Sequence, residues 1–212
     1  SRSVAVGDLD RDGDLDIVVG RSNTAFVFIN DGAGSFSPAE LPVPSSTLAA
    51  SVNDLALADV DSDGDLDIIA ATTNVSGIAA RVNNIYLNDG AAVFTRSNVS
   101  AVASTSFRVL AGDINGDKMA DLIFDDGGAY LNDGSGGFNL SINSNLSISA
   151  ASDMADIDGD GDLDVVSGTL ATGNSNKTRA FFNSGSGVFQ PVDVATSGLS
   201  TLSLKLVDVN QD

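Results

Sequence analysis

Residues 8–16 read DLDRDGDLD, and the same acidic register returns as DVDSDGDLD at 59–67, DINGDKMAD at 113–121, DIDGDGDLD at 156–164 and, in short form, DVNQD at 208–212. Each full copy places side-chain oxygens at its first, third, fifth and ninth positions. Two like charges ~4 Å apart repel by roughly 4 kcal/mol at an effective dielectric of about 20. Four such groups in one tight turn therefore point to a cation held among them. A single acidic loop can be a solvated surface turn; recurrence in one register argues against that reading.

In the first copy Asp8, Asp10, Asp12 and Asp16 supply side-chain oxygen, the carbonyl of Asp14 fills the seventh position, and Gly13 lets the chain turn around the ion. The second copy offers Asp59, Asp61, Asp63, Asp65 and Asp67 around Gly64, and the fourth Asp156, Asp158, Asp160, Asp162 and Asp164 around Gly161. The loop opens like an EF-hand but cannot be one, because its twelfth position is Val19 where a bidentate Glu is required. The third copy departs: it keeps Asp113, Asp117 and Asp121, but Asn115 replaces a carboxylate, Met119 offers only its carbonyl, and Lys118 takes the glycine position. A non-Gly residue at positive φ costs on the order of 1 kcal/mol, so this site is predicted to be the weakest. The fifth copy contributes Asp208, Asn210 and Asp212 and stops there.

Cys and His are both absent, which removes the ligands of the usual zinc, copper, haem and iron–sulfur sites. Oxygen ligands alone favour a hard cation, and about four bound Ca2+ ions are expected. The net charge is −19, and of the 28 Asp residues 20 lie in the five loops. That field excludes nucleic acid and anionic membrane surfaces as partners, since both need a basic patch. No apolar run approaches the ~18 residues of a membrane span, so no membrane insertion is expected. Weak multi-site calcium modules suit millimolar calcium, which points to an extracellular, secreted or cell-surface setting.

Catalysis is not expected. No Ser-His-Asp or Cys-His set can form without His or Cys, and no phosphate-cradling glycine loop with Lys occurs. Asp125 and Asp126, beside Gly127 and Gly128, read as a turn rather than as paired catalytic acids.

The loop starts at 8, 59, 113, 156 and 208 give a period near 50 residues, the mark of a propeller or solenoid unit. A short alternating strand precedes each loop, and another apolar strand follows each complete one. A third element then recurs: FVFINDGAGSF at 26–36, IYLNDGAAVF at 85–94, AYLNDGSGGF at 129–138 and AFFNSGSGVF at 180–189. Strand, tight turn, strand is the reading, with Asn-Asp-Gly supplying the positive φ angles of the turn. Each repeat thus holds three to four antiparallel strands, the content of one propeller blade. Phe36, Phe94, Phe138 and Phe189 are expected to pack between neighbouring blades.

The combination of D-x-D-x-D-G-x-x-D, a following L-D-[IV]-[VI] strand and [YF]-[LFI]-N-D-G-x-G-x-F resembles the FG-GAP or VCBS repeat, the unit of integrin α-subunit-type propellers. The resemblance covers essentially the whole chain, residues 1–212, as four repeats plus a truncated copy at 201–212. It implies an all-β fold, a β-propeller or propeller arc of four antiparallel blades with a calcium loop joining the two innermost strands of each. In such propellers ligand-binding loops lie on the opposite face, here 70–84, 168–179 and the linkers after each hairpin. The expected function is a non-catalytic calcium-binding module for adhesion or for a protein or glycan ligand. A self-assembling surface or filament subunit is the alternative, because closed rings of the family commonly carry more than four blades. The chain is then either part of a longer array or pairs through open blade edges. A lectin-like module or an accessory part of a secreted enzyme is the third reading.

Overall fold

The computed structural model describes residues 2–21, 25–39, 41–42, 50–74, 83–98, 106–141, 146, 148–149, 151–168, 177–196, 201 and 203–207. Those residues form four antiparallel four-stranded sheets and no helix. The first sheet comprises β1 (Ser3–Gly7), β2 (Asp16–Gly20), β3 (Ala25–Asn30) and β4 (Phe36–Ala39). The second holds β5 (Ala50–Ala58), β6 (Asp67–Asn74), β7 (Asn84–Asn88) and β8 (Phe94–Asn98). The third holds β9 (Val109–Gly112), β10 (Asp121–Phe124), β11 (Ala129–Asn132) and β12 (Phe138–Ser141), and the fourth β13 (Ser152–Ala155), β14 (Asp164–Ser167), β15 (Lys177–Asn183) and β16 (Phe189–Thr196). Within every sheet the strands pair in chain order, so each repeat is a simple meander. An acidic loop joins its first two strands and a glycine turn joins its last two.

The sheets stack through their faces. Leu9, Val18 and Val27 of the first repeat meet Leu55, Ile68, Tyr86 and Phe94 of the second. Val60, Ile69 and Ile85 then meet Leu122, Phe124, Tyr130 and Phe138 of the third, where the Phe124 and Tyr130 rings contact edge-on at 5.7 Å between centroids. Ile114, Ile123 and Ala129 meet Val165, Phe181 and Phe189 of the fourth. A sheet covered on both faces reads as a continuous apolar run, and β10 and β14 are buried at every position. By contrast β1 alternates between part-buried and exposed residues, because only one face of its sheet is covered.

Three of the four hairpin phenylalanines pack between repeats as expected, Phe94, Phe138 and Phe189 being 6%, 6% and 0% exposed. Phe36 does not: it is 46% exposed, and none of the other described sheets packs against that face of the first. Residues 203–207 carry no regular strand, although the Leu206 N–H donates to the Asp153 carboxylate at 2.7 Å. That contact repeats the one by which the Val109 N–H donates to Asp54 at 3.1 Å.

Candidate metal centres

Each acidic loop is shaped by its own carboxylates. The first-position Asp accepts the N–H of the sixth residue: Asp8 from Gly13 at 3.0 Å, Asp59 from Gly64 at 2.9 Å, Asp113 from Lys118 at 2.8 Å and Asp156 from Gly161 at 3.0 Å. The fifth-position Asp accepts the N–H of the seventh residue, as Asp12 does from Asp14 and Asp63 from Asp65. These short Asx turns bend the chain into a ring that faces its oxygens inward.

Two positions in each loop adopt positive φ. The sixth does so at Gly13, Gly64, Lys118 and Gly161, as expected for the turn. The fourth does so as well, at Arg11, Ser62, Gly116 and Gly159, which the D-x-D-x-D-G pattern does not announce. The first three loops thus carry one strained non-glycine residue apiece, and the fourth carries none. Backbone strain alone does not single out the third loop; the expectation that it is the weakest site rests on Asn115 standing where the others carry a carboxylate. Replacing Lys118→Gly should stabilise the fold by about 1 kcal/mol, read as a rise in denaturant midpoint at unchanged slope. Arg11 turns its strained position to use: its guanidinium pairs with Asp65 of the second loop, and its Nη2 donates to the Asp63 carbonyl at 3.2 Å.

The ninth-position Asp is the anchor of each loop. Asp16, Asp67, Asp121 and Asp164 are at most 1% exposed, and every one accepts two backbone N–H groups. One oxygen takes the second loop residue, as from Leu9, Val60, Ile114 and Ile157 at 2.7–3.0 Å. The other takes the hairpin Asn, as from Asn30, Asn88, Asn132 and Asn183, all at 2.8 Å. Burial pushes the Asp67 and Asp121 carboxyls up to about 6, against the pull of those same N–H groups.

The hairpin Asn does not itself carry the positive φ, which falls on the turn glycines and on Ala92, but its Oδ1 accepts a turn N–H, from Gly32 at Asn30, Gly134 at Asn132 and Ser184 at Asn183. Its side-chain amide bridges repeats. Asn88 Nδ2 donates to Leu66 O at 3.1 Å and to Leu9 O of the preceding loop at 2.7 Å. Asn132 does the same to Ala120 and Val60, and Asn183 to Leu163 and Ile114. Asn30, in the first repeat, reaches its own loop at Leu15 O, 3.2 Å away. Asn132→Ala should then cost about 1–3 kcal/mol by stranding buried carbonyls, and Asn30→Ala less, in paired thermal melts. The hairpin glycines face the seventh loop residue: a Cβ at Gly90 would lie 2.6 Å from Asp65 Oδ2, and one at Gly134 2.7 Å from Met119 Sδ.

Among the described residues, four carboxylate triads bring one oxygen each within 4.8 Å of one another: Asp8, Asp10 and Asp16; Asp59, Asp61 and Asp67; Asp113, Asp117 and Asp121; Asp156, Asp158 and Asp164. Each triad could hold a metal ion. The first-, third- and ninth-position acids converge in three loops, and in the third Asp117 takes the place of the absent third-position carboxylate. Asp12, Asp63 and Asp160 stand outside these triads, as do Asp14, Asp65 and Asp162, of which only the backbone carbonyl is expected to contribute. Buried Oδ1 atoms of Asp8, Asp59 and Asp61 have no hydrogen-bond partner. Burial, reinforced by the charges of Asp63 and Asp59, holds Asp61 above the usual carboxylate range. The expected ligands Asp208, Asn210 and Asp212 lie outside the described residues.

A model of the FG-GAP-like repeat matches residues 8–70 and 156–212, more than half of the chain. The chain belongs to the FG-GAP-like repeat family. The third acidic loop, the divergent one, lies outside both FG-GAP-like regions. No curated protein matches the chain in sequence. Among solved structures, the V. cholerae biofilm matrix protein Bap1 is similar over 90% of the chain at 22% identity and a TM-score of 0.51. An Agrocybe aegerita lectin, solved for its recognition of non-reducing terminal N-acetylglucosamine, is similar over 92% at 19% identity and a TM-score of 0.42. The chain spans 28% of the length of Bap1 and 66% of that of the lectin. At such identities the likeness to Bap1 shows the fold alone.

At the end of the stack away from the acidic loops, a cavity of about 250 Å³ is lined by Arg2, Asn53, Asp54, Phe107, Arg108, Ser203 and Leu204. Arg108 lies 3.5 Å from Asp54 and also donates to the Ser152 carbonyl, while Arg2 donates to Asn53 Oδ1 at 2.9 Å. The expected ligand segments 70–84 and 168–179 fall largely outside the described residues. No helix among the described residues is long and apolar enough to cross a membrane.

Proposed function

We infer that the chain is a non-catalytic, calcium-stabilised interaction module, its four sheets being successive blades of a β-propeller or propeller arc in an extracellular setting. The observation that carries this is the set of buried, unpartnered oxygens of Asp8, Asp59 and Asp61 inside rings of carboxylates. An isolated buried charge is too costly to leave unpaired, and a cation removes that cost. The first-, third- and ninth-position acids, with Asp117 in the third loop and the seventh-position carbonyls, would hold it. An all-oxygen site with no imposed octahedral geometry favours calcium over magnesium. The ion supplies charge neutralisation here and no chemistry.

An extracellular setting is supported by the family and by ligand sets suited to millimolar calcium. A protein or glycan ligand belongs at the end away from the loops. There Phe107, 54% exposed, offers a flat apolar face beside the Arg2 and Arg108 guanidinium groups. Calorimetric titration should show about four calcium sites and far weaker binding of magnesium; absence of calcium heat at millimolar concentration rejects the ion. A glycan array and an extracellular-matrix protein array probed in calcium test the ligand side. Hits weakened by Phe107→Ala support it, and hits insensitive to that change place the ligand elsewhere.

A further inference from the structure

Among the described residues, the second ring is the one to which the preceding repeat sends a cation. Arg11, the fourth residue of the first loop, pairs with the carboxylate of Asp65 at the seventh position of the second. Its Nη2 also donates to the Asp63 carbonyl at 3.2 Å, and a Cβ on the intervening Gly64 would lie 2.8 Å from the same nitrogen. The guanidinium thus lies against the tip of the second loop. The Asp65 side chain is 5% exposed, is closed in against Gly90, and its Oδ1 accepts no hydrogen bond. Arg11 supplies the charge that compensates it.

The other repeats lack this pair. The fourth loop position is Ser62 in the second loop and Gly116 in the third, so neither sends a cation from that position to its successor. The seventh residues that follow them are Met119, which has no charge to meet, and Asp162. Nor does the second loop need Arg11 for its shape. In all four loops the first acid accepts the sixth N–H at 2.8–3.0 Å and the fifth residue's acid accepts the seventh N–H at 2.8–2.9 Å. What Arg11 adds is charge, and it adds it where the empty ring is least comfortable. The second loop buries unpartnered oxygens of Asp59, Asp61 and Asp65, the first loop that of Asp8, and the other two none among the described residues.

We propose that Arg11 is a tethered counter-ion of the second ring: it stands in part for the metal when the ring is empty, keeps that ring closed, and in return lowers its affinity for calcium. The guanidinium offsets repulsion among the carboxylates of the empty ring and repels a divalent ion in the filled one, both by the same Coulomb law. Whatever stabilises the empty ring more than the filled one weakens the ion by the same factor, and the ion weakens the Arg11 contact in turn. The effect on affinity rests on the calcium reading of the rings; the stabilisation of the empty ring does not.

The test is calorimetric calcium titration of the full chain, with thermal melts in excess calcium and in EDTA, on the wild type, Arg11→Gln and Arg11→Lys. Gln keeps a polar non-glycine residue at the φ of 62° and removes the charge. Arg11→Gln should tighten calcium about tenfold at one site, and its melting temperature should fall in EDTA by about 3–5 °C more than it falls in calcium. Arg11→Lys should return both toward the wild type. In an Asp61→Ala background, which lacks a ligand of the second ring, no site should tighten. Calcium binding that is weakened by Arg11→Gln, as for a shaping residue, or unchanged, as for a surface ion pair, overturns the proposal. So does an equal loss of melting temperature in the two conditions. A wild type that binds no calcium fails the ion reading by itself. An EDTA loss that disappears in an Asp65→Asn background then still supports the counter-ion, and an EDTA melt unchanged by Arg11→Gln overturns it.

Discussion

Excess chelator should lower the melting temperature of the calcium-loaded chain by about 5–10 °C for each site emptied. An ion that binds only the folded state at a hundredfold excess over its Kd stabilises by roughly 2.7 kcal/mol per site. In a chain of this size 1 kcal/mol moves the midpoint by about 2–4 °C. Emptying a ring also restores the mutual repulsion of its carboxylates, so four sites acting together leave a markedly weaker fold. Differential scanning calorimetry before and after EDTA measures the drop, and a return of the original curve on adding calcium back completes it. Superimposable curves in calcium and in EDTA would reject calcium stabilisation outright.

The second large effect separates two acids of one loop. Asp67→Ala strands the N–H groups of Val60 and Asn88, both of which the Asp67 carboxylate accepts at 2.8 Å, in a place closed to water. Each stranded donor costs about 1–3 kcal/mol, so a loss of about 2–6 kcal/mol is expected even in EDTA. Asp61→Ala differs in kind. Its buried Oδ1 has no hydrogen-bond partner, so its cost should appear in calcium and vanish or reverse in EDTA, where removing a charge relieves Asp59 and Asp63. Chemical denaturation of both variants with and without calcium gives four numbers. Equal chelator dependence for Asp61→Ala and Asp67→Ala would sink the distinction between ligand and anchor.

Much of the fold was legible because its signals are local. Alternating apolar strands around Asp8 and Asp59 and the glycine turns near Gly32 and Gly90 state the meander within one repeat. The convergence of the first-, third- and ninth-position acids in three loops was legible for the same reason, whereas Asp12, Asp63 and Asp160, equally close in sequence, stand outside the triads. What was hidden lies between repeats. The role of Asn88 and Asn132 is set by a carbonyl more than 70 residues away, and no spacing within one repeat points to it. Arg11 and Ser62 give no sign of positive φ, because their backbone is bent by carboxylate hydrogen bonds on either side. Phe36 carries the same motif as Phe94, and only the absence of another described sheet against its face sets its exposure apart.

The amide bridge from each hairpin Asn to the loop before it ties ion occupancy in one repeat to the seating of the next. A loop that closes on its ion fixes the carbonyl of its second residue, and that carbonyl is the acceptor on which the following sheet is hung. Filling should therefore be cooperative along the chain, with nearest-neighbour coupling of the kind that governs linear arrays. The third loop, already short of a carboxylate at Asn115, should then open first when calcium becomes scarce and loosen the fourth sheet, whose Asn183 hangs on the Ile114 carbonyl.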